Sequence, residues 1–298
     1  MIARRGMGTS PRGTGTGRWR SRTALLLVGA AVTMATPAAA AQVPGRGLWV
    51  WDLPAPDELT AFAVAHHVST VYLAVPPDLV SSPALPQVRQ VVTTARAAGL
   101  RVEALGGDPG WLDDPSWAVT HWVTPTLATG LFDGLHLDVE PYGNPTWSTD
   151  RTGTVKRYLS LLSAVVKQAG PRPVEADVAF WFSTVPVGRT RTLAEQVLTR
   201  VAGVDVMTYR TTATGPDGAL ALAAPVLASA ASAGKLARVG QETNFLGSDP
   251  LQTKQTFFGL GAAALDEQLA ALETSLTGRA GFGGVSVEDS TGWSRLAP

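Results

Sequence analysis

The chain has 298 residues, 24 basic against 24 acidic side chains, 45% hydrophobic residues and no cysteine. This balance excludes the strongly basic footprint of a nucleic-acid binder, and the missing thiols exclude disulfides and thiolate metal centres. The chain is long enough to bury a large core without either.

Residues 1–41 carry six arginines and no acid, followed by the apolar run Ala24 to Val32 and the small residues Ala38 to Ala41. A basic region, a short apolar run and small residues before Gln42 describe a secretory signal, so an exported, extracellular protein is expected, with no membrane span once the signal is cleaved. The run is broken by Thr33, Thr36 and Pro37 and falls short of the roughly 20 apolar residues a span needs. Without this segment 18 basic residues face 24 acids, a net charge near −6.

From Gln42 onward, strand and helix patterns alternate. Gly47 to Asp52 reads as a first strand, followed by a helix with Leu59, Phe62, Ala63 and His66 on one stripe. Thr70 to Val75 is a second strand, and Val88, Val91, Val92 and Ala95 mark a helix that Gly99 stops. Arg101 to Gly107 is a third, with Asp114-Pro115 as the cap and first position of the next helix.

The fourth strand, Phe132 to Pro141, organises the rest. Side chains alternate along an extended chain, so Leu135, Leu137 and Val139 share one face and His136, Asp138 and Glu140 the other. Three ionisable groups on a face that would otherwise belong to a core point to a site, because burying an unpartnered carboxylate costs several kcal/mol or shifts its pKa.

The second half repeats the scheme. A helix on Val155, Leu159, Leu162 and Val166 leads to a fifth strand, Val174 to Phe182, and a helix around Leu193 to Val201 leads to a sixth, Val204 to Tyr209. An Ala-rich helix that contains Pro225 precedes the seventh, Arg238 to Thr243, and Leu265, Leu269, Leu272 and Leu276 mark the last long helix before the eighth, Gly284 to Glu288. Eight such units over residues 42–298 predict a single α/β domain, a (β/α)8 barrel. No glycine-rich phosphate loop follows the first strand, which argues against a doubly wound nucleotide fold.

In such a barrel the site lies at the C-terminal ends of the strands. Those ends carry Asp52, Glu140, Tyr209 with Arg210, Glu242 with Asn244, and Glu288 with Asp289. Trp51, Trp111, Trp147, Trp181 and Trp293 fall at or just after strand ends, where flat rings could stack on sugars.

Asp133-Gly134-Leu135-His136-Leu137-Asp138-Val139-Glu140 resembles the strand-four pattern Asp-Gly-x-Asp-x-Asp-x-Glu of the chitinase family of glycosidases, family 18. Met207-Thr208-Tyr209 is similar to that family's Met-x-Tyr, and Leu105-Gly106-Gly107 to its third-strand ending. The resemblance implies a secreted glycoside hydrolase in which Glu140 is the general acid, Asp138 orients the substrate's acetamido group and Tyr209 hydrogen-bonds it. The substrate's N-acetyl oxygen then attacks the anomeric carbon in place of an enzyme nucleophile.

Three positions depart from the family pattern. His136 stands where the family has an Asp, Arg210 where it commonly has Asp, and Glu288-Asp289 where it has a large aromatic. The resemblance implies that the Asp replaced by His136 helps carry Asp138 through its protonation cycle; a histidine there could donate to Asp138 and stabilise its anion, or could disable that relay. The same acids allow a two-carboxylate glycosidase pairing Glu140 with Glu242 or Glu288, at a separation of about 5–5.5 Å for retention or about 6.5–9.5 Å for inversion. A third reading is a barrel that binds glycans without turnover. Substrate contacts are expected from His136, Asp52, Trp51, Trp181, Arg210 and Asn244, with a poly- or oligosaccharide as the ligand and a monomer as the form. No cofactor or metal is expected, since His66, His67, His121 and His136 make neither a His-x-His nor a His-Glu-x-x-His motif.

Overall fold

A computed structural model describes residues 45–298; the expected signal segment lies outside the described residues. Eight parallel strands close into a barrel. They are β1 Arg46–Val50, β2 Val68–Ala74, β3 Arg101–Gly106, β4 Gly134–Leu137, β5 Val174–Ala179, β6 Gly203–Met207, β7 Leu236–Glu242 and β8 Phe282–Glu288. Each pairs with its neighbours in sequence, and β1 pairs with β8 to close the ring. A two-residue antiparallel pair, Pro186–Val187 with Arg191–Thr192, lies outside the barrel.

The helices form where the apolar stripes and caps predict them. Pro56–Ala65 (α1) begins with Pro56 and has Asp57 and Glu58 in its first turn, where carboxylates meet the positive end of the helix dipole. Leu85–Ala97 (α2) buries Val88, Val91, Val92 and Ala95. Arg151–Ala169 (α3) is capped by Asp150, and Leu193–Leu198 (α4) carries a capping box between Thr192 and Glu195. Ala219–Ser232 (α5) runs through Pro225, and Ala262–Leu276 (α6) buries Leu265, Leu269, Leu272 and Leu276. Between β3 and β4, Asp114 accepts a hydrogen bond from Trp117 N and starts a helical stretch over 115–128 whose middle, Ala118–Val123, is π-helical. Among the described residues no helix is long and apolar enough to cross a membrane.

The main core lies between the sheet and this helical layer. Leu48, Val71, Val102, Leu135, Val204 and Val285, all facing outward from the strands, are buried there, each worth about 1.5–3 kcal/mol. The inside of the barrel differs. Trp49, Tyr72 and Leu105 make a small apolar cluster, and around it Glu103, His136, Asp177 and Asp205 are buried. Barrel interiors usually stack branched aliphatic side chains; here ion pairs replace much of that packing.

Two strand assignments need correction. The β4 ladder ends at Leu137, and Asp138 to Glu140 continue extended beyond it, with Asp138 N still donating to Gly106 O at 3.1 Å. The β5 ladder ends at Ala179 because Phe180–Thr184 coil into a 3-10 turn, so Trp181 belongs to a loop and not to the strand.

Candidate active site

The strand ends bring a set of acids together at one mouth of the barrel. Asp138 and Glu140 leave β4, Tyr209 follows β6, and Glu242 and Glu288 end β7 and β8, where they stand opposite one another in register. Tyr209 lies among Glu288, Glu242, Asp177 and Asp138, and burial together with these charges keeps its hydroxyl protonated.

Glu140 is partly exposed. Its Oε1 accepts a hydrogen bond from the hydroxyl of Tyr142, two residues on in the turn Pro141–Gly143. Burial and the charge of Asp177 push its carboxyl above the ordinary range, and the Tyr142 bond opposes this only in part. A carboxyl shifted toward its protonated form at the rim of a barrel suits a proton donor. Asp138, behind it, is pushed up further by burial, by Asp177 and by Glu140, while its Oδ1 is buried without a hydrogen-bond partner.

The two other acids are also poised toward their neutral forms. Glu242 Oε1 accepts from Asn244 N (2.6 Å), Thr243 N (2.8 Å) and Asn244 Nδ2 (3.1 Å), yet burial raises its pKa to about 7. Glu288 is raised by burial, Asp138 and Glu242, against a 2.5 Å hydrogen bond from Trp51 Nε1. Asn244 thus positions Glu242, and Trp51 joins the end of β1 to the end of β8.

Other candidates lie elsewhere. His136 is fully buried beneath the mouth, where no substrate can touch it; its Nε2 bonds Asp177 Oδ1 at 2.9 Å, not Asp138. Asp52 is exposed and accepts a hydrogen bond from Thr291 Oγ1 at 3.3 Å. Arg210 is committed to Asp217 (2.9 Å) and to the Tyr209 carbonyl, and its guanidinium lies 5.5 Å from the Phe180 ring. Asp289 caps the short helix Ser290–Ser294. Trp111 is buried against Trp122 and Trp293 against Phe62, so neither offers a ring to a ligand. Trp51 is 39% exposed, and Trp181 packs beside Tyr142 and Trp147 in an aromatic group next to Glu140.

Two residues central to the site were not singled out from sequence. Tyr142 had no signal beyond its spacing from Glu140. Asp177 did: Glu175 and Asp177 alternate with Ala176 and Val178 on a strand, the pattern that marked β4.

The interior carboxylates raise the question of a metal. Glu103, His136 and Glu175, and His136, Asp177 and Asp205, offer ligand atoms within 4.8 Å of one another. Protein groups pair one oxygen of each carboxylate: Arg101 meets Glu103 (2.7 Å), Arg238 meets Glu175 (2.7 Å), Tyr72 donates to Asp205 (3.0 Å) and Trp49 to Asp177 (3.0 Å), while Glu103 Oε2, Asp205 Oδ1 and His136 Nδ1 have no hydrogen-bond partner among the described residues. The arrangement is an ion-pair network in which His136 is a cation. Burial disfavours its charged ring, but Asp177, Glu103 and Asp205 outweigh burial and hold its pKa well above the usual histidine value.

No described protein family matches the sequence, and no curated protein matches it. Solved structures share its fold. A class V chitinase mutant from Cycas revoluta, in complex with (GlcNAc)3, superimposes with a TM-score of 0.53 at 14% identity, over 83% of this chain and 95% of that one. The spore cortex-lytic enzyme SleL of Bacillus megaterium gives 0.52 at 14% identity, over 82% and 70%. A Toxoplasma gondii protein assigned to the deoxyribose-phosphate aldolases gives 0.52 at 13%, over 86% and 93%. The likeness therefore establishes the barrel, and the chemistry has to be argued from the side chains.

Proposed function

We propose that this chain is an outlying, chitinase-like glycoside hydrolase that is exported and cleaves glycosidic bonds of N-acetylated glycans outside the cell. The observation that carries the reading is Glu140: a partly exposed carboxyl at the barrel mouth, pushed toward its protonated form, with the still more strongly raised Asp138 behind it. Glu140 gives its proton to the leaving oxygen. Asp138 and Tyr209, both hydrogen-bond donors in their neutral forms, hold the acetamido group so that its oxygen attacks the anomeric carbon. Trp51 and Trp181 supply ring faces for the sugar. The chitinase among the neighbours that carries (GlcNAc)3 supports the choice of N-acetylated sugar.

The raised acids favour this route over a two-carboxylate mechanism. A nucleophilic carboxylate must be ionised. Glu242 at about 7 and Glu288, also raised, resist that below neutral pH.

The test is Glu140→Gln assayed on soluble chito-oligosaccharides with binding followed by calorimetry. The expected result is a loss of about 10²–10⁴-fold in kcat with binding retained. A wild-type protein that binds these sugars without cleaving them would assign it to the non-catalytic carbohydrate-binding barrels.

A further inference from the structure

Asp177 is buried inside the barrel with both carboxylate oxygens anchored: Oδ1 by His136 Nε2 at 2.9 Å and Oδ2 by Trp49 Nε1 at 3.0 Å. Both anchors are themselves locked. The His136 ring stacks on Tyr72 with centroids 3.8 Å apart, and the Trp49 ring meets Tyr72 edge-on at 5.1 Å. In the β4–β5 register Leu137 pairs with Ala176, which brings the next residues, Asp138 and Asp177, side by side. Among the described residues Asp138 Oδ1 is buried without a hydrogen-bond partner, so it adjoins the carboxyl of Asp177 with no donor of its own.

We propose that Asp177, held by His136 and Trp49, is the positioning residue that keeps Asp138 protonated beside Glu140 in the free protein, before substrate takes up its proton as a hydrogen bond. Two adjoining buried carboxyls cannot both ionise, so they share one proton. The imidazolium and the indole N–H both stabilise an anion on Asp177, which leaves the proton on Asp138, donating to Asp177. This assigns His136 a purpose at the position where the resembling family has an aspartate: the acid partner of Asp138 comes from the neighbouring strand, and the histidine fixes it there. The groups that bear on Asp138 are the acids Asp177, Glu140 and Glu288, the His136 cation, and the hydroxyls of Tyr142, Tyr158 and Tyr209. Of these, Asp177 is the one that the β4–β5 register sets directly beside it. The inference deepens the glycosidase reading and rests on it for its catalytic meaning, although the proton's location does not.

The experiment is a carbon-13 carboxyl NMR titration of aspartate-labelled full-length protein, the Asp138 signal being assigned by its loss in Asp138→Asn. In the wild type Asp138 stays protonated after the exposed aspartates have ionised. In Asp177→Asn the new amide donates to Asp138 and favours its anion, so its midpoint falls by about one pH unit or more, and kcat on chito-oligosaccharides falls at least tenfold with KM within threefold. An Asp138 midpoint that is the same with and without Asp177 overturns the proposal. If Asp177→Asn does not fold, Trp49→Phe removes a single donor to Asp177; the signals of both carboxyls should then move, and movement of the Asp177 signal alone overturns the proposal. The titration needs no substrate. A shifted Asp138 in a protein that cleaves no glycan upholds the positioning role and rejects the glycosidase reading, whereas an active enzyme with an unshifted Asp138 does the reverse.

Discussion

The ring of His136 lies over that of Tyr72, centroids 3.8 Å apart and planes 20° apart, while the Tyr72 hydroxyl donates to Asp205 at 3.0 Å. One cation and one phenol therefore tie strands β2, β4, β5 and β6 together through the inside of the barrel. The histidine that departs from the family motif is a structural hub, and changing it should cost stability before it changes chemistry.

Restoring the family's residue makes the point. His136→Asp would remove the cation that faces Asp177, Glu103 and Asp205 and add a fourth acid among them. A buried charge pair broken on one side costs about 3–5 kcal/mol. Urea denaturation at neutral pH should show a loss of that size, and no gain in glycosidase rate should accompany it. A variant as stable as the wild type would contradict the ion-pair account of the interior.

Glu242 gives a pH dependence with a definite sign. Its pKa rises from 4.5 to about 7 on folding, so between those values the folded protein binds a proton that the unfolded chain has released. Stability attributable to this group is therefore full below pH 4.5, falls as pH rises to about 7 and is flat above. At about 1.4 kcal/mol per unit, the loss is about 3 kcal/mol. Glu242→Gln should remove this slope, so the difference in unfolding free energy between variant and wild type should grow by that amount from pH 4.5 to pH 7.5. A constant difference would mean that Glu242 is ionised normally.

The barrel was legible because strands buried on their outer faces and helices with one apolar stripe follow simple periods. Val88, Val91, Val92 and Ala95 could hardly lie on anything but a buried helix face. The acids at the strand ends were legible for the same reason: Asp138, Glu140, Glu242 and Glu288 sit where alternation sends them into the mouth. Roles were harder to read. Alternation gives His136 and Asp138 the same face, but depth along the barrel axis, which separates a buried counter-ion from a rim residue, depends on the stagger between strands. Asp52 and Arg210 show the same limit, since both stand just past strand ends and are drawn aside by Thr291 and Asp217. Tyr142 reaches Glu140 only because Pro141 turns the chain.

Tyr142 should set the alkaline limit of activity. Its hydroxyl donates to Glu140 Oε1 and so favours the ionised form of the acid. Tyr142→Phe removes that bond, Glu140 keeps its proton to higher pH, and the alkaline limb of the kcat profile should move upward. The maximal rate should change less than about tenfold, because the proton donor itself remains. A limb that moves to lower pH, or does not move, would separate Tyr142 from the titrating acid.

Gly107 supplies the most local test of how Asp138 is placed. A Cβ added at this residue would lie 1.9 Å from the carbonyl oxygen of Asp138 and 2.2 Å from its carbonyl carbon, a contact with backbone that no rotamer can relieve. The chain after β3 thus passes directly against the chain after β4, and only the absence of a side chain allows it. Gly107→Ala must push the Asp138 backbone away from β3, which also strains the 3.1 Å bond from Asp138 N to Gly106 O. Overpacking of this kind costs about 1–3 kcal/mol. Because Asp138 moves relative to Glu140, catalysis should suffer more than stability: a shift of about 1 Å in a positioned group can cost about 10²-fold in rate. The pair of measurements is a thermal melt and kcat on chito-oligosaccharides. A variant that is destabilised but fully active would show that the place of Asp138 does not matter to the reaction.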